Sequence, residues 1–504
     1  MGTLVPDRAR FRELSKTSNV IPVYREMLAD HFTPVLAKRA LGHSPGSFLL
    51  ESVVGGERWG RYSFVGHRPR YIVRGVADRF EIVRGDAILK EEGVDIWERL
   101  RSEVKRARPA ILPELPRFWG GLVGYLAYDA VRLFEECGLE PSKPEDDWVF
   151  QYGVGATTLI FDNLSQTLRV VAIAFVDGGD ADAAYDEACA EIEHTLELLS
   201  GAISPRLDDA PIRKGDGVPP RSNMSREQFE ASIAKAVEYI RAGEAQQIVL
   251  SQRFVVPREE VELFDVYRVM RAINPSPYMF FVDFEDITLA GASPETMVRL
   301  ESGIVSVRPI AGTRHRGATP EEDQAIEREL MSDEKELVEH RMLIELGMEE
   351  IGLVSKPGTA RVSEEMIVER YSHVMHIVSN VQGELADDKD ALDVIRATFP
   401  AGTLSGSPRR RAIQIVDELE RESRGVYGGA VGYIGFGGKS ADVAIAIRTV
   451  VANRDELWLQ AGAGVVELSD PAKEWQETVN KASAGFIAIE GGKRLSAKRE
   501  ETKS

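Results

Sequence analysis

The sequence is short of cysteine: Cys137 and Cys189 are the only two in 504 residues. They form no metal-binding or redox spacing, which excludes a disulfide framework and a thiolate metal centre, and both read as reduced thiols. Long apolar runs are missing too, and none approaches the length of a membrane-spanning helix. The opening stretch Met1–Phe11 mixes aspartate with arginine and lacks the apolar core of a signal peptide. Basic charge is in deficit, with 62 Lys and Arg against 81 Asp and Glu, a net charge of −19. That balance argues against a nucleic-acid backbone or an anionic membrane as partner. These absences predict a cytoplasmic protein.

What is present supports a large core. The apolar fraction of 43% is ordinary for a globular chain. Apolar alternation predicts strands around Phe48–Ser52 and Tyr62–Val65. An acidic helix is expected over Asp180–Leu199, followed by a Pro-, Gly- and charge-rich stretch over Gly201–Asn223 that reads as a linker or crossover. After it, Ser225 and Gln228 have the form of a capping box, Phe229, Ile233, Val237 and Ile240 follow at helical spacing, and Gly243 marks the stop. Gln247–Phe254 reads as a strand, and one long helical region is expected from Glu321 to about Ile351. Trp119–Tyr125 echoes Tyr427–Tyr433, as if the two were corresponding strands of two related sheets.

The chemistry concentrates in the second half. Glu336 and Glu339 are three residues apart, as are Glu474 and Glu477, so each pair shares a helix face. Four such carboxylates suit one hard cation such as Mg²⁺, although most pairs of this kind are solvated faces. Gly402–Pro408 is a small-residue loop whose backbone can hold an anion or make an ordinary strand-to-helix turn; Ser407 fits the cap of the next helix and Pro408 its first position. Gln460–Gly464 lets a ligand approach the backbone, or forms a bulge. Arg448 lies in an apolar strand pattern and needs an acidic partner, from the protein or a substrate. Gly432–Ser440 fails the spacing of a phosphate loop and reads as a hairpin. His373 and His376 have no zinc-type context, and His376 is the better acid/base candidate.

Nine segments carry a resemblance: Leu49–Ser52, Asn274–Met279, Ala292–Glu295, Pro309–Thr313, Asp333–Glu336, Glu339–His340, Arg370–His376, Gly402–Gly406 and Gln460–Gly464. From about Tyr24 to Ala488 the chain resembles anthranilate synthase component I, the large-subunit group of the chorismate-utilising enzymes. The resemblance implies an α+β fold of two large packed antiparallel sheets with helices outside. It implies that ammonia adds to chorismate and that pyruvate is then eliminated to give anthranilate. Glu339 and Glu477 match Mg²⁺ ligands, with Glu336 and Glu474 as outer carboxylates and Lys481 balancing the site. Gly312, Thr313, Tyr427, Arg448, Gly462, Ala463 and Gly464 match the chorismate contacts. Glu295 matches the acid that helps the C4 hydroxyl leave, and His376 and Thr403 lie near the reacting ring. Ser52, Pro277, Tyr278 and Met279 match a tryptophan inhibitor site.

Two positions are expected to set the branch. Gln247 stands where water-adding relatives carry a lysine base, and Ala311 where aminodeoxychorismate synthases typically carry lysine. The resemblance also implies a glutamine amidotransferase subunit, component II, as partner in a hetero-oligomer. The sequence departs from the family at Met348-Glu349-Glu350 and at Glu467-Leu468. An aminodeoxyisochorismate synthase that stops before pyruvate loss, and a non-catalytic tryptophan- or chorismate-binding subunit, are the alternatives. The expected organisation is an N-terminal region over 1–205 contributing the tryptophan site, a linker over 206–223, a catalytic region over 224–490 and a disordered tail over 491–504.

Overall fold

Alternating apolar residues build two antiparallel sheets in the computed structural model, which describes residues 3–52, 60–134, 137–140, 143, 147–201, 219–259, 261–371 and 374–501. The first sheet, of 13 strands, runs in space from Leu4–Val5 through Val20–Leu28, Thr167–Phe175, Thr157–Asp162, Tyr62–His67 and Ser47–Glu51. It continues through Tyr278–Asp283, Thr288–Ser293, Thr449–Ala452, Glu456–Val465, Gln247–Pro257 and Arg221–Ser222. The second, of 12 strands, joins Ile310–His315, Val374–Glu384, Ile304–Val307, Thr296–Glu301, Ala441–Ile445 and Ala430–Gly435 to Gly121–Leu126 and four further N-terminal strands. Each sheet therefore takes strands from both sides of residues 206–223. The seams are Met279 opposite Glu51 in the first sheet and Gly432 opposite Gly124 in the second.

The facing sides of the sheets enclose a core of Phe48, Phe64, Phe280 and Val451 from one sheet against Val123, Tyr125, Val431 and Tyr433 from the other. Phe118 stacks on Tyr433 with ring centroids 4.1 Å apart. Helices cover the outer faces. Leu263–Ile273 and the closing helix Pro471–Glu501 pack on the first sheet, and Ile96–Arg106, Glu334–Gly352 and Ala391–Thr398 on the second.

Several local expectations hold for physical reasons. Ser225 and Gln228 form the reciprocal capping box of helix Arg226–Arg241, and Gly243 adopts φ +82° just beyond it. Gly432–Ser440 is a hairpin closed by the 3₁₀ turn Phe436–Gly438.

Others are corrected. The echo segments are paired neighbours in one sheet, not counterparts in two. Their glycines permit this approach, since a Cβ on Gly121 would lie 2.2 Å from Ile434 O and one on Gly429 2.1 Å from Leu126 O. The long helical region is two helices, Pro320–Leu330 and Glu334–Gly352, because the Asp333 carboxylate caps a new start at Lys335 N and Glu336 N. Ser407 does not cap its helix, because its backbone pairs with the strand at Gln247, and Pro408 occupies the cap position without a side-chain bond. The closing helix also runs on to Glu501 where a disordered tail is expected. Leu495 is buried, and Ser496 Oγ accepts Glu262 N at 3.1 Å. Cys137 and Cys189 are free thiols.

Candidate active site

Sheet edges and helix starts bring the distant motifs together. Strand Ile310–His315 pairs with Val374–Glu384 so that Thr313 lies opposite His376. The register slips between Ala311 and Thr313, and Gly312 takes φ +61° to absorb the extra residue. That bulge lets both Thr313 Oγ1, at 3.0 Å, and Gly312 O, at 3.2 Å, reach His376 Nδ1. Hydrogen bonding to the carbonyl fixes the proton on Nδ1 and leaves Nε2 as the base. Burial is the main cause that lowers the His376 pKa, so the ring is neutral near pH 7. Ala311 is buried beside the bulge. His373 lies outside the described residues.

Glu295 follows the strand Thr288–Ser293, and its carbonyl accepts Ile445 N at 3.1 Å. Thr403 Oγ1, from the short helical turn Gly402–Ser405, donates to Glu295 Oε1 at 3.0 Å. Burial lifts the Glu295 carboxyl to about 7, against smaller opposing effects of Thr403 and the Lys481 charge. The result is a carboxylic acid that can hold a proton at neutral pH and release it. Glu295 and Thr403 line one small cavity that also touches Glu350.

Arg448 is not in a strand. It occupies the turn between Ala441–Ile445 and Thr449–Ala452 with φ +52°. Its Nη1 donates to the carbonyl of Lys481 at 3.0 Å. Burial lowers its pKa, opposed by the nearby Tyr427 and Glu477. Strand Glu456–Val465 supplies small residues alongside: the Tyr427 hydroxyl packs where a Cβ on Gly462 would come within 2.7 Å. Ala463 is fully buried, and Gly464 leaves room for the Gln247 amide, which a Cβ would meet at 2.9 Å. Lys481 Nζ donates to Gly462 O at 3.1 Å and pairs with Glu477 Oε1 at 2.6 Å.

The acidic helices face each other across this site. Burial first, then the charges of Glu336 and Glu477, raise the Glu339 pKa; burial and Glu477 raise that of Glu474. Among the described residues, however, no three carboxylate, His or Cys groups gather as a metal cluster. Arg314 holds Glu336 at 3.3 Å and Lys481 holds Glu477, so two of the four carboxylates are turned to protein cations. All-oxygen donors that repel one another are the chemistry that fits a hard divalent cation.

Ser52, Pro277, Tyr278 and Met279 line a second cavity, in the first sheet's seam, with Asp442 and Arg299 among its other walls.

Sequence reasoning missed a buried pair that ties these pieces together. Arg424 Nη1 donates to Leu404 O at 2.6 Å and Nη2 to Val249 O at 2.7 Å, while Nε binds Glu420 at 2.8 Å. Its guanidinium also lies 5.7 Å from the Tyr427 ring centre. Glu420 in turn accepts Ser251 N at 2.7 Å. One cation thus fixes the Thr403 turn, the strand opposite Gly462–Gly464, and Tyr427. Its only signal in sequence is an arginine immediately before Gly425–Tyr427.

A chorismate-binding enzyme model matches residues 57–486, so the chain belongs to the family of chorismate-binding enzymes. Within it, the chain is similar to anthranilate synthase component 1 of Aquifex aeolicus (strain VF5), 46% identical over 95% of this chain and 96% of the relative. The same component of Pseudomonas putida is 44% identical over 98% and 100%. The crystal structure of anthranilate synthase component I from Streptococcus pneumoniae TIGR4 superposes with TM-score 0.73 at 33% identity, covering 91% of this chain and 99% of that one. The menaquinone-specific isochorismate synthase of Escherichia coli, at 18% identity and TM-score 0.66 over 95% and 98%, shares the fold.

Proposed function

We propose that this chain is the chorismate-converting subunit of an anthranilate synthase, producing anthranilate and pyruvate from chorismate and ammonia in tryptophan biosynthesis. Arg448 binds a substrate carboxylate, because among the described residues no carboxylate forms an ion pair with this buried guanidinium, which favours a ligand anion. The bare backbone of Gly462–Gly464 and the Tyr427 hydroxyl hold the ring beside Glu295. The observation that carries the reading is Glu295, a carboxyl held near pKa 7 beside Thr403 in a chain matched along its length.

Ammonia forms the C2–N bond while the ring double bond shifts and the C4–O bond breaks. Glu295 gives its proton to the departing hydroxyl, which leaves as water, and the carboxylate regains a proton released by the new ammonium. Neutral His376 then removes the C2 proton as the C3–O bond breaks, and that proton passes to the methylene carbon of the departing enolpyruvate, which is released as pyruvate and leaves the aromatic ring. Gln247, a neutral amide, cannot act as base for water addition, and Ala311 offers no lysine amine. Glu339 and Glu477 would hold Mg²⁺, with Glu336 and Glu474 behind them; bound there, the ion neutralises substrate carboxylate charge.

Nitrogen would come from a glutamine amidotransferase partner in a hetero-oligomer. Tryptophan would occupy the Ser52–Met279 cavity as feedback inhibitor. The test mixes purified chain, chorismate, Mg²⁺ and ammonium and follows anthranilate fluorescence. Formation of anthranilate with equimolar pyruvate, lost on chelation, is expected. Accumulation of aminodeoxyisochorismate or isochorismate overturns the reading.

A further inference from the structure

Thr296 stands between two cavities. On one side its strand walls the cavity of Glu295 and Thr403. On the other, its hydroxyl donates to the Tyr278 hydroxyl at 2.9 Å, inside the Ser52–Met279 cavity. Tyr278 donates onward to Asp442 Oδ1 at 2.8 Å. Arg299 binds both, Asp442 Oδ2 at 2.8 Å and the Tyr278 hydroxyl at 3.3 Å. A second route returns through the backbone: Asp442 lies three residues before Ile445, whose N–H binds the Glu295 carbonyl. Glu295 is thus tied to the far cavity through its own next residue and through its main chain.

The strand is also irregular at this place. Thr296 pairs with Ala444, but the register shifts before Val298. A bulge interrupts the ladder and frees a residue to change its direction. Threonine has few χ1 states, so losing the bond to Tyr278 moves the side chain between discrete rotamers rather than by small degrees.

We infer that Thr296 and Tyr278 are positioning residues, and that their hydrogen bond carries the effect of a ligand in the Ser52–Met279 cavity to Glu295. This rests on the regulatory reading above, in which that ligand is tryptophan. A ligand that draws the Tyr278 hydroxyl to itself breaks the Thr296 bond and shifts the backbone that presents Glu295 to Thr403. Coupling of this kind requires an element with two arrangements that both sites bias, and it acts equally in both directions.

The test is calorimetric titration of the full chain with tryptophan, with and without saturating chorismate and Mg²⁺, alongside inhibition kinetics. In the unmodified protein each ligand is expected to weaken the other by the same factor, on the order of 5- to 150-fold. Thr296→Val removes the hydroxyl and keeps the shape. It is expected to bring that factor close to one while tryptophan affinity without chorismate stays within about two-fold. Thr296→Ser restores the hydroxyl and is expected to restore the coupling, which a merely structural role for the side chain does not require. Tyr278→Phe is expected to reduce the factor as Thr296→Val does, with no further loss in the double variant. Unchanged coupling in Thr296→Val overturns the link and leaves tryptophan regulation standing. Loss of tryptophan affinity itself in Thr296→Val also overturns it, because the residue would then serve the cavity alone. No tryptophan binding to the unmodified chain overturns both.

Discussion

Glu295 shows how much environment decides at the level of one side chain. An exposed glutamate is ionised at neutral pH, but burial raises this one to about 7. If it supplies the proton to the leaving hydroxyl, kcat/KM falls as pH rises through about 7, because the acid form is lost. Glu295→Gln is expected to lower kcat by about 10²–10⁴-fold and to remove that limb of the pH profile. Glu350 is also raised to about 7 by burial, although Arg409 pairs with it. Both carboxyls hold protons more tightly folded than unfolded. The stability they contribute is therefore full below their ordinary value of about 4.5 and is lost as pH rises through about 7. Thermal melts of Glu350→Gln between those values are expected to vary less with pH than those of the unmodified protein. The Arg409 pair also accounts for how the chain carries its departure at Met348-Glu349-Glu350: the acid that remains is matched by a cation at the start of helix Arg409–Leu419.

At the scale of elements, the two acidic helices and the Arg424 clamp make separate demands. Glu339 and Glu474 repel Glu477 with no metal in place, so removing one charge relaxes the site while weakening its hold on a cation. Glu339→Gln is expected to raise the Mg²⁺ concentration needed for half-maximal activity by at least about ten-fold, with an unchanged far-ultraviolet circular dichroism spectrum. Arg424→Met leaves the buried Glu420 without its partner. A loss of about 3–5 kcal/mol is expected from denaturant unfolding, with partial recovery in the Arg424→Met/Glu420→Gln double variant. Arg424→Lys keeps the charge but cannot reach Leu404, Val249 and Glu420 together. Its expected signature is a raised KM for chorismate at nearly native stability. Capping is a smaller matter, and Ser225→Ala is expected to cost about 0.5–2 kcal/mol.

Over the whole molecule, both sheets run through both halves of the chain. The candidate effector cavity lies on the seam of the first sheet, where Glu51 faces Met279, and its walls include Arg299 and Asp442 from the second. Glu51 also binds Tyr267, at 2.7 Å, on the helix that packs against the closing helix. A change at the seam can therefore reach strands and helices that carry the acidic residues. If nitrogen is delivered by a partner, the purified chain is expected to form anthranilate with ammonium and not with glutamine. Glutamine should become effective only when a glutamine amidotransferase subunit is added, which a coupled glutamate assay checks.

The sequence by itself determined what is local. Ser225 and Gln228 announce a helix start because a capping box is closed within four residues. The Glu336–Glu339 and Glu474–Glu477 pairs are legible because helical spacing puts them on one face. Family membership was legible because short motifs such as Gly402–Gly406 keep their order along the chain. Tertiary structure decided what depends on distant partners. The turn at Arg448, the pairing of Gly124 with Gly432 and the capture of Ser407 by the strand at Gln247 all arise from contacts between segments far apart in sequence. So do the raised proton affinity of Glu295 and the bracing of three segments by Arg424. Burial and long-range hydrogen bonds have no periodicity to read. They exist only once the sheets have closed and water has been removed from between them.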